Sequence, residues 1–412
     1  MEIKNLKKTA EEILKAIKNK ERIILYGDAD LDGVASVIIL KETIKNLNGE
    51  ISELYFPDRE VEGYGINENA LDYLKKYAPA LLVALDCGIS NFKEVKLAKK
   101  LGFKVLIIDH HVVLDKLPEA KIIVDPKQKG DRYHFKELAT TGIIFKLSEL
   151  ILSSPAPLSG VGRRWRRERS SLRLKNKMTE NLKQNFLELV ALATIADMMP
   201  RSDDNKIMIE QGLVSLENSW RPGIKAFFET PSIKNYENLN QKVSKMISIL
   251  NVRDVAPHQG PGGGPASFRL LTSPSLEESK KIISRLIEKS EIRKQKIEEV
   301  TREIEEKLTK GDNSIIFEGN SSWDFTLISP VASILCQRYQ KPTFIYKILK
   351  DESQGTVRVP AGIDSVALMK KCSKYLLTYG GHPLASGFRI KNENLEKFKK
   401  CLTSKFNKRC GK

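Results

Sequence analysis

The feature that most constrains the fold is an alternation of short extended runs with amphipathic stretches through the first third of the chain. Largely apolar runs occur at 22–26, 51–56, 81–85, 104–108 and 121–124, and segments with helical spacing separate most of them. Strands that alternate with helices in this way form βαβ units and a mostly parallel sheet. Several runs are continuously apolar, as expected for strands that are covered on both faces. The sequence therefore predicts an α/β fold.

The same alternation returns beyond a long helical pattern at about 276–309, in which apolar residues recur from Ile297 to Leu308. This pattern predicts a helix that joins two domains, and a length of 412 residues agrees with more than one domain. The later predicted elements are strands at 314–317, 343–346, 356–359 and 386–390 and helices at 329–339, 364–377 and 393–405. We predict a parallel-sheet domain at 1–230, an irregular segment and connecting helix at 231–310, and a smaller α/β domain at 311–412.

The charge of the chain favours a polyanionic partner. Lysine and arginine total 69 against 52 acidic residues, a net charge of +17, and such an excess is typical of nucleic-acid-binding proteins. A generally lysine-rich composition of the proteins of the source organism would explain this charge equally well. No run approaches the roughly 18–20 apolar residues of a membrane span, and the N-terminus has no signal core, so we expect a cytoplasmic protein without a membrane partner. The five cysteines form no CxxC pair, which argues against a disulfide scaffold or a zinc ribbon.

Two stretches differ from the rest of the chain. A basic insertion at about 153–180 places six arginines around Trp165, which is typical of a nucleic-acid-binding arm with a stacking aromatic. The alternative is a surface insertion without a fixed function. Residues 255–265 are rich in glycine and proline and predict irregular structure. A local sequence error is a further explanation for both stretches.

Carboxylates follow several of the predicted strands in the first domain. The carboxyl ends of parallel strands meet at one edge of a sheet, so these groups should converge on one crevice. Packed carboxylates repel one another unless cations or protons neutralise them, and carboxylate with imidazole suits Mn²⁺ or Mg²⁺ better than Zn²⁺. Asp197, at the end of an apolar helical stretch, could complete the set. The strand-end groups are Asp28, Asp30, Asp32, Asp86, Asp109, His110 and His111.

The order of these motifs resembles the DHH phosphoesterase superfamily and, within it, the RecJ-like single-strand exonucleases. The four phosphoesterase motifs stand at 27–33 (GDADLDG), 86–90 (DCGIS), 109–111 (DHH) and 194–200 (TIADMMP). The segment 57–65 (PDREVEGYG) resembles the RecJ-type segment between the first two motifs and offers Arg59 as a substrate contact. The later domain resembles the DHH-associated domain, whose signature corresponds to Gly380, Gly381 and His382, preceded by Arg358 on a strand.

The resemblance implies a two-metal site with Mn²⁺, or alternatively Mg²⁺. Asp30 and Asp86 would hold the first ion with support from Asp28. His111 would contact the scissile phosphate, and Asp109 belongs to the same catalytic motif. The second ion would be held by Asp32, Asp86, His110 and Asp197, so that Asp86 bridges the two ions.

Substrate contacts are expected on both sides of an interdomain cleft. The resemblance assigns Arg358, Gly380, Gly381 and His382 to the second domain's grip on the nucleic-acid backbone. RecJ-like chains carry a further phosphate-binding segment, and the corresponding segment of this chain departs from the family pattern. Three residues of it remain candidates for binding phosphate: Asn251, Arg253 and Arg269. The resemblance ends with the second domain, without the OB-fold of bacterial RecJ proteins, as in the compact archaeal RecJ-like proteins.

The resemblance implies a single-strand-specific 5′–3′ exonuclease that releases 5′-mononucleotides during DNA repair, recombination or replication. Its substrate would be single-stranded DNA, with RNA as an alternative. One rival function is an oligoribonuclease or short-nucleotide phosphoesterase of the same superfamily. Another is a replisome subunit with a mainly structural role and a GINS partner.

Overall fold

The computed structural model describes residues 2–59, 61–113, 116–153, 169–252, 254–256, 263–308, 314–381 and 383–410. The chain divides into two compact units, 1–287 and 288–412. The boundary lies inside a long helix, so residues 231–287, predicted as an irregular segment and connecting helix, fold with the first unit. Most of the predicted basic insertion, at 154–168, lies outside the described residues.

Helices and strands alternate along the chain as the apolar pattern predicts. The helices are α1 (Leu6–Lys18), α2 (Leu31–Asn46), α3 (Glu68–Leu74), α4 (Phe92–Lys100), α5 (Thr140–Ser153), α6 (Arg169–Ala196), α7 (Asp203–Glu217), α8 (Pro222–Glu229), α9 (Pro231–Lys234), α10 (Leu239–Leu250), α11 (Ala266–Leu271), α12 (Leu276–Leu308), α13 (Phe325–Tyr339), α14 (Ser365–Lys370) and α15 (Leu395–Cys410). The strands are β1 (Ile23–Gly27), β2 (Glu53–Tyr55), β3 (Ala80–Leu85), β4 (Phe103–Ile108), β5 (Ile122–Val124), β6 (Val255–Ala256), β7 (Gly264–Pro265), β8 (Ile316–Asn320), β9 (Thr343–Ile348), β10 (Glu352–Arg358), β11 (Leu376–Gly381) and β12 (Ala385–Lys391).

A parallel sheet forms the centre of the first unit, in the order β2-β1-β3-β4-β5. β1 and β3 are buried along their whole length, because α3 and α4 cover one face and α1, α2, α5 and α6 belong to the apolar layer on the other. This arrangement confirms the predicted α/β class and explains the continuous apolar runs. It brings the carboxyl ends of β1, β3 and β4 side by side.

The second unit contains a mixed sheet in the order β11-β12-β10-β9-β8, in which only β8 and β9 are parallel. The predicted helix at 364–377 is wrong in its second half, because α14 ends at Lys370 and the run from Leu376 forms edge strand β11. A disulfide joins Cys372 to Cys401 on α15, although the sequence argued against a disulfide framework. The sequence separation of 29 between these cysteines matches no spacing motif that would have revealed the pair.

None of the helices in the described part of the chain is both long and apolar enough to span a membrane.

Candidate metal centre

Three aspartates extend adjacent strands of the parallel sheet and are almost fully buried. The backbone N–H of Asp28 donates to the carbonyl of Leu85 at 3.2 Å, and that of Asp86 donates to Ile108 at 3.0 Å. The N–H of Asp109 donates to Val124 at 3.0 Å. The sheet hydrogen bonding therefore continues one residue past each strand, which fixes the three carboxylates at one edge.

Two further aspartates come from the start of α2. Asp30 is the N-cap residue, and its Oδ1 accepts from the N–H of Gly33 at 3.1 Å. Asp32 is buried in the first helical turn. Gly33 allows this tight strand-to-helix turn, because a Cβ there would lie only 2.4 Å from the backbone oxygen of Asp28.

The imidazole of His110 lies at the centre of the carboxylates. Its Nε2 is 3.4 Å from Asp86 Oδ1, 3.4 Å from Asp197 Oδ2 and 3.9 Å from Asp32 Oδ2. Asp197 directly follows α6, so α6 brings the last predicted ligand to the sheet edge. The sequence-predicted ligands therefore converge.

Three groups of side chains each place their ligand atoms within 4.8 Å of one another. The groups are Asp28, Asp30 and Asp86; Asp32, His110 and Asp197; and Asp86, His110 and His111. Among the described residues, His110 Nδ1 and Asp197 Oδ2 are buried without a hydrogen-bond partner. Carboxylate oxygens and imidazole nitrogens are ligands for Mn²⁺ and Mg²⁺, so the donor set fits divalent cations.

Electrostatics support the same interpretation. Burial raises the pKa of Asp86 well above its usual value, and the charges of Asp32 and Asp30 raise it further. Burial also raises the pKa of Asp32, and that of Asp197 to about 7, with contributions from the neighbouring acids. The pKa of His110 falls to about 4 because of burial, so this imidazole is neutral near pH 7 and its nitrogens can bind a metal.

Asp86 has a left-handed backbone conformation, with φ of 62°. Positive φ is uncommon outside glycine, although aspartate tolerates it better than most residues. Strained backbone of this kind is often found at functional sites. Here the conformation lies at the residue that two of the three ligand groups share.

Asp109 lies behind His111 and belongs to none of the three ligand groups. Its Oδ1 is 2.7 Å from His111 Nδ1, and its Oδ2 accepts from the N–H of Ile89 at 3.1 Å. Burial alone would lower the pKa of His111, but the hydrogen bond and charge of Asp109 outweigh it and raise that pKa. Asp109 is thus placed to orient His111, and its own direct role in catalysis stays a prediction.

Two side chains of the 57–65 segment lie over the centre. Arg59 contacts both oxygens of Asp28, with Nε 2.8 Å from Oδ1, and its Nη2 is 2.9 Å from Asp30 Oδ2. The hydroxyl of Tyr64 donates to the carbonyl of Asp86 at 3.1 Å, and its ring lies edge-on to His111. The arginine therefore neutralises part of the acidic cluster, and Tyr64 adds a contact that the sequence analysis did not single out.

The start of α5 supplies the other contacts that the sequence analysis missed. The backbone N–H groups of Thr140 and Thr141 donate to the two carboxylate oxygens of Asp32, at 2.8 and 2.9 Å. The hydroxyl of Thr140 donates to Asp86 Oδ1 at 2.9 Å. A Thr-Thr-Gly sequence before an apolar helix is a helix-start signal, but the sequence does not reveal which carboxylates it meets.

The predicted substrate contacts fall in different places. Asn251 lines a cavity of about 270 Å³ together with Asp30, Asp32, Arg59 and Asp197. That cavity opens onto the ligand groups, so Asn251 is placed where a substrate phosphate could lie.

The other arginine candidates of the first unit are not at this cavity. Arg269 pairs with Asp254 at 3.2 Å and lines a separate groove. Arg253 lies outside the described residues.

Arg358 and the glycine pair belong to the second unit. Arg358 lies on β10 and donates to Ser329 Oγ at 2.7 Å and to Ser333 Oγ at 3.2 Å. Gly380 and Gly381 end β11, while His382 lies outside the described residues. The substrate-binding role of this set stays a prediction.

Comparison with known proteins agrees with the fold and the centre. Residues 22–194 match the DHH family, N-terminal domain, and residues 312–408 match the DHHA1 domain. The first match contains the β1, β3 and β4 strand-end aspartates, and the second covers the mixed sheet. The chain therefore belongs to the DHH superfamily.

Within that superfamily the chain is RecJ-like. It is 29% identical over 402 residues to the single-stranded-DNA-specific exonuclease RecJ of Bacillus subtilis, an alignment that covers 96% of this chain and 47% of the relative. The chain thus spans about half the length of that relative.

Solved structures show the same fold. A crystal structure of exonuclease RecJ bound to manganese matches with a TM-score of 0.74 and 22% identity, covering 98% of this chain and 94% of the other. RecJ from Thermus thermophilus in complex with Mn²⁺ matches with a TM-score of 0.77 and 21% identity, covering 98% and 55%.

Replacing Thr140 with valine should weaken Mn²⁺ binding by roughly 10–100-fold, the usual effect of losing a hydrogen bond that orients a metal ligand. Valine keeps the shape of threonine but removes the hydroxyl that fixes Asp86 Oδ1. Thr140→Ser should restore the affinity. Isothermal titration of the metal-free protein measures this directly.

Thr43→Val is the matched control, since the Thr43 hydroxyl is buried between α2 and α5 and bonds Ile39 and Ser148 instead of a carboxylate. Equal Mn²⁺ affinities for the Thr140→Val and Thr43→Val proteins would show that Thr140 does not position Asp86.

The metal-free protein should lose stability as the pH rises from about 6 to about 8. The pKa of Asp197 is raised to about 7, and that of Asp86 is also raised. Both carboxylates therefore bind protons in the folded state at pH values where the same groups are ionised in the unfolded chain. Their contribution to folding is therefore lost as the pH passes the folded-state pKa values. Mn²⁺ competes with these protons, so its stabilisation should be larger at the higher pH. Thermal unfolding at several pH values, with and without Mn²⁺, tests both trends. The Asp197→Asn substitution should make the stability of the metal-free protein depend less on pH.

Proposed function

We propose that this protein is a metal-dependent exonuclease specific for single-stranded DNA. The observation that carries the proposal is the convergence of two ligand groups on Asp86 within a RecJ-like fold. The relative from B. subtilis is named as such an exonuclease, and the solved RecJ structures hold Mn²⁺. The net charge of +17 suits a polyanionic substrate.

The ligand groups suggest how two ions would be held. Asp28, Asp30 and Asp86 surround one position, and Asp32, His110 and Asp197, with Asp86 beside them, surround the other. A pair of Mn²⁺ or Mg²⁺ ions held there would supply an activated water and would neutralise the charge that develops on the scissile phosphate.

The chain's own residues would orient and stabilise the phosphate. His111, whose pKa is raised by Asp109, is placed to donate a hydrogen bond to a phosphate oxygen. Arg59 is half-exposed, with 41% of its side chain accessible, so its guanidinium can exchange an aspartate contact for a phosphate contact. Asn251 offers an amide in the lining of the same cavity.

The finer features of the proposal come from the family. We infer 5′–3′ polarity, 5′-mononucleotide products, RNA as an alternative substrate, and a role in DNA repair, recombination or replication. We also infer a cytoplasmic location. Association with GINS remains a prediction, because the contacts of the described residues do not test it.

The test is digestion of single-stranded DNA and RNA labelled at the 5′ or the 3′ end. Mn²⁺-dependent release of labelled mononucleotide from the 5′-labelled strand, abolished by EDTA and absent with duplex DNA, is the expected result. Cleavage confined to very short oligonucleotides would instead indicate a short-nucleotide phosphoesterase. A protein that binds Mn²⁺ and DNA but hydrolyses neither substrate would contradict the enzymatic proposal.

A further inference from the structure

A second groove, with a volume of about 920 Å³, lies in the first unit beside β2, at the open edge of the parallel sheet. We call it the edge groove and define it by Lys41, Lys45, Tyr73, Tyr77, Phe268 and Arg269. It adjoins the cavity of about 270 Å³ that opens onto the ligand groups, which we call the metal cavity. Pro265 and Ser267 line the metal cavity, and their neighbours Gly264 and Phe268 line the edge groove.

Two lysines of α2 contribute positive charge to the edge groove. Lys41 and Lys45 stand one helical turn apart, an arrangement in which like charges repel. In the part of the chain that the structure describes, neither lysine has an ion pair. The nearest acid in sequence, Glu42, is bound through both oxygens by Arg221 at 2.8 Å.

Lys41 is partly buried, with its Nζ 4.9 Å from the centroid of the Phe268 ring. Burial lowers its pKa, and the charge of Lys45 lowers it further. A desolvated cation without a counter-ion is costly, and an anionic ligand in the groove would offset that cost.

The edge groove also contains two carboxylates, and neighbouring hydroxyl groups fix them in place without neutralising their charge. Glu53 accepts hydrogen bonds from the hydroxyls of Tyr73 at 3.1 Å and Tyr77 at 2.5 Å. Glu278 contacts the Ser273 hydroxyl at 3.4 Å. The bonds to Glu53 also fix the two tyrosine rings, and Lys76 Nζ lies over both, 3.8 Å and 5.1 Å from their centroids. The rings therefore hold a further cation beside the groove, which suits contacts with a nucleic-acid backbone.

We propose that the edge groove is a second contact surface for the backbone of single-stranded nucleic acid. This inference rests on the proposed function, since the same strand would enter the metal cavity. Helix α2 spans both places, with Asp32 in its first turn and Lys41 nine residues later, about 14 Å along the helix axis. A strand held at the metal centre can therefore also reach the two lysines.

The test compares two double variants of equal charge. Lys41→Met with Lys45→Met removes both charges but keeps the apolar stems that pack in the groove. The control, Lys7→Met with Lys8→Met, removes two exposed charges of α1. Binding of a long oligodeoxynucleotide is measured by fluorescence anisotropy in EDTA over a range of salt concentrations, and hydrolysis of a dinucleotide is measured in Mn²⁺.

The groove variant should bind the long strand roughly tenfold more weakly, and its salt slope should fall by about 1.4, corresponding to two lost phosphate contacts on a single strand. Its dinucleotide hydrolysis should equal that of the wild type, and the control should keep the wild-type salt slope. Equal slopes for the two variants would overturn the proposal. If the wild type binds DNA but does not cut it, the proposed function fails while the binding comparison still decides the role of the groove.

Discussion

Asp86→Asn is expected to reduce hydrolysis of single-stranded DNA by more than about a thousandfold, a loss of roughly 4 kcal/mol of transition-state stabilisation. Two of the three ligand groups share Asp86, so one substitution weakens both metal positions. Asparagine also tolerates the positive φ of this position. Initial rates at saturating Mn²⁺, together with the bound metal content, measure the effect.

The stability of the same variant should change in the opposite direction. In the metal-free protein, Asp86 is a buried carboxylate surrounded by other carboxylates, and its pKa is raised for that reason. Asparagine removes the cost of either burying this charge or protonating the group, so the melting temperature should stay unchanged or rise near neutral pH. Asp72→Asn is the control, because Asp72 is exposed and pairs with Lys75, three residues away on the surface. Wild-type turnover in Asp86→Asn would refute the shared-ligand mechanism.

The strand-end aspartates could be predicted because their signal is local. Each stands directly after an apolar run, and the geometry of parallel sheets brings such positions together. Asp28, Asp86 and Asp109 follow this rule. Asp197 does not follow a strand. Its position at the end of an apolar helical stretch made it a candidate, and only its assignment to the second ion came from the family resemblance.

The hydrogen bonds that hold the ligands could not be predicted in this way. Thr140 meets Asp32 across 108 residues of sequence, and its helix-start pattern is common to many helices. Arg59 was predicted to bind substrate, yet in this structure its guanidinium contacts Asp28 and Asp30. Both arrangements depend on tertiary packing.

The second unit shows a similar limit. The run from Leu376 continues a helical spacing, which led to the wrong prediction of a helix up to 377. Pairing with β12 makes this run a strand, because a non-local partner supplies backbone hydrogen bonds that outweigh a weak local preference.

Arg221→Met is expected to destabilise the first unit by roughly 3–5 kcal/mol, the usual cost of removing one partner of a buried ion pair. Arg221 is almost completely buried. Its guanidinium binds both oxygens of Glu42 on α2 and lies 3.4 Å from the carbonyl of Leu271 on α11. The substitution leaves the Glu42 carboxylate, only 22% exposed, without its counter-ion. Urea unfolding followed by far-ultraviolet circular dichroism measures the loss.

Two comparisons separate the buried charge from the packing of the side chain. Adding Glu42→Leu to Arg221→Met should recover much of the lost stability, because an apolar pair can replace a buried ion pair at little cost. Arg389→Met removes an equally bidentate partner from Glu352 in the second unit. That arginine is 49% exposed, so the loss there should stay below about 1 kcal/mol. If Arg221→Met lowered the free energy of unfolding by no more than Arg389→Met, the Arg221–Glu42 ion pair would not be what joins α2 to α11. The packing of apolar side chains between these helices would then account for that stability.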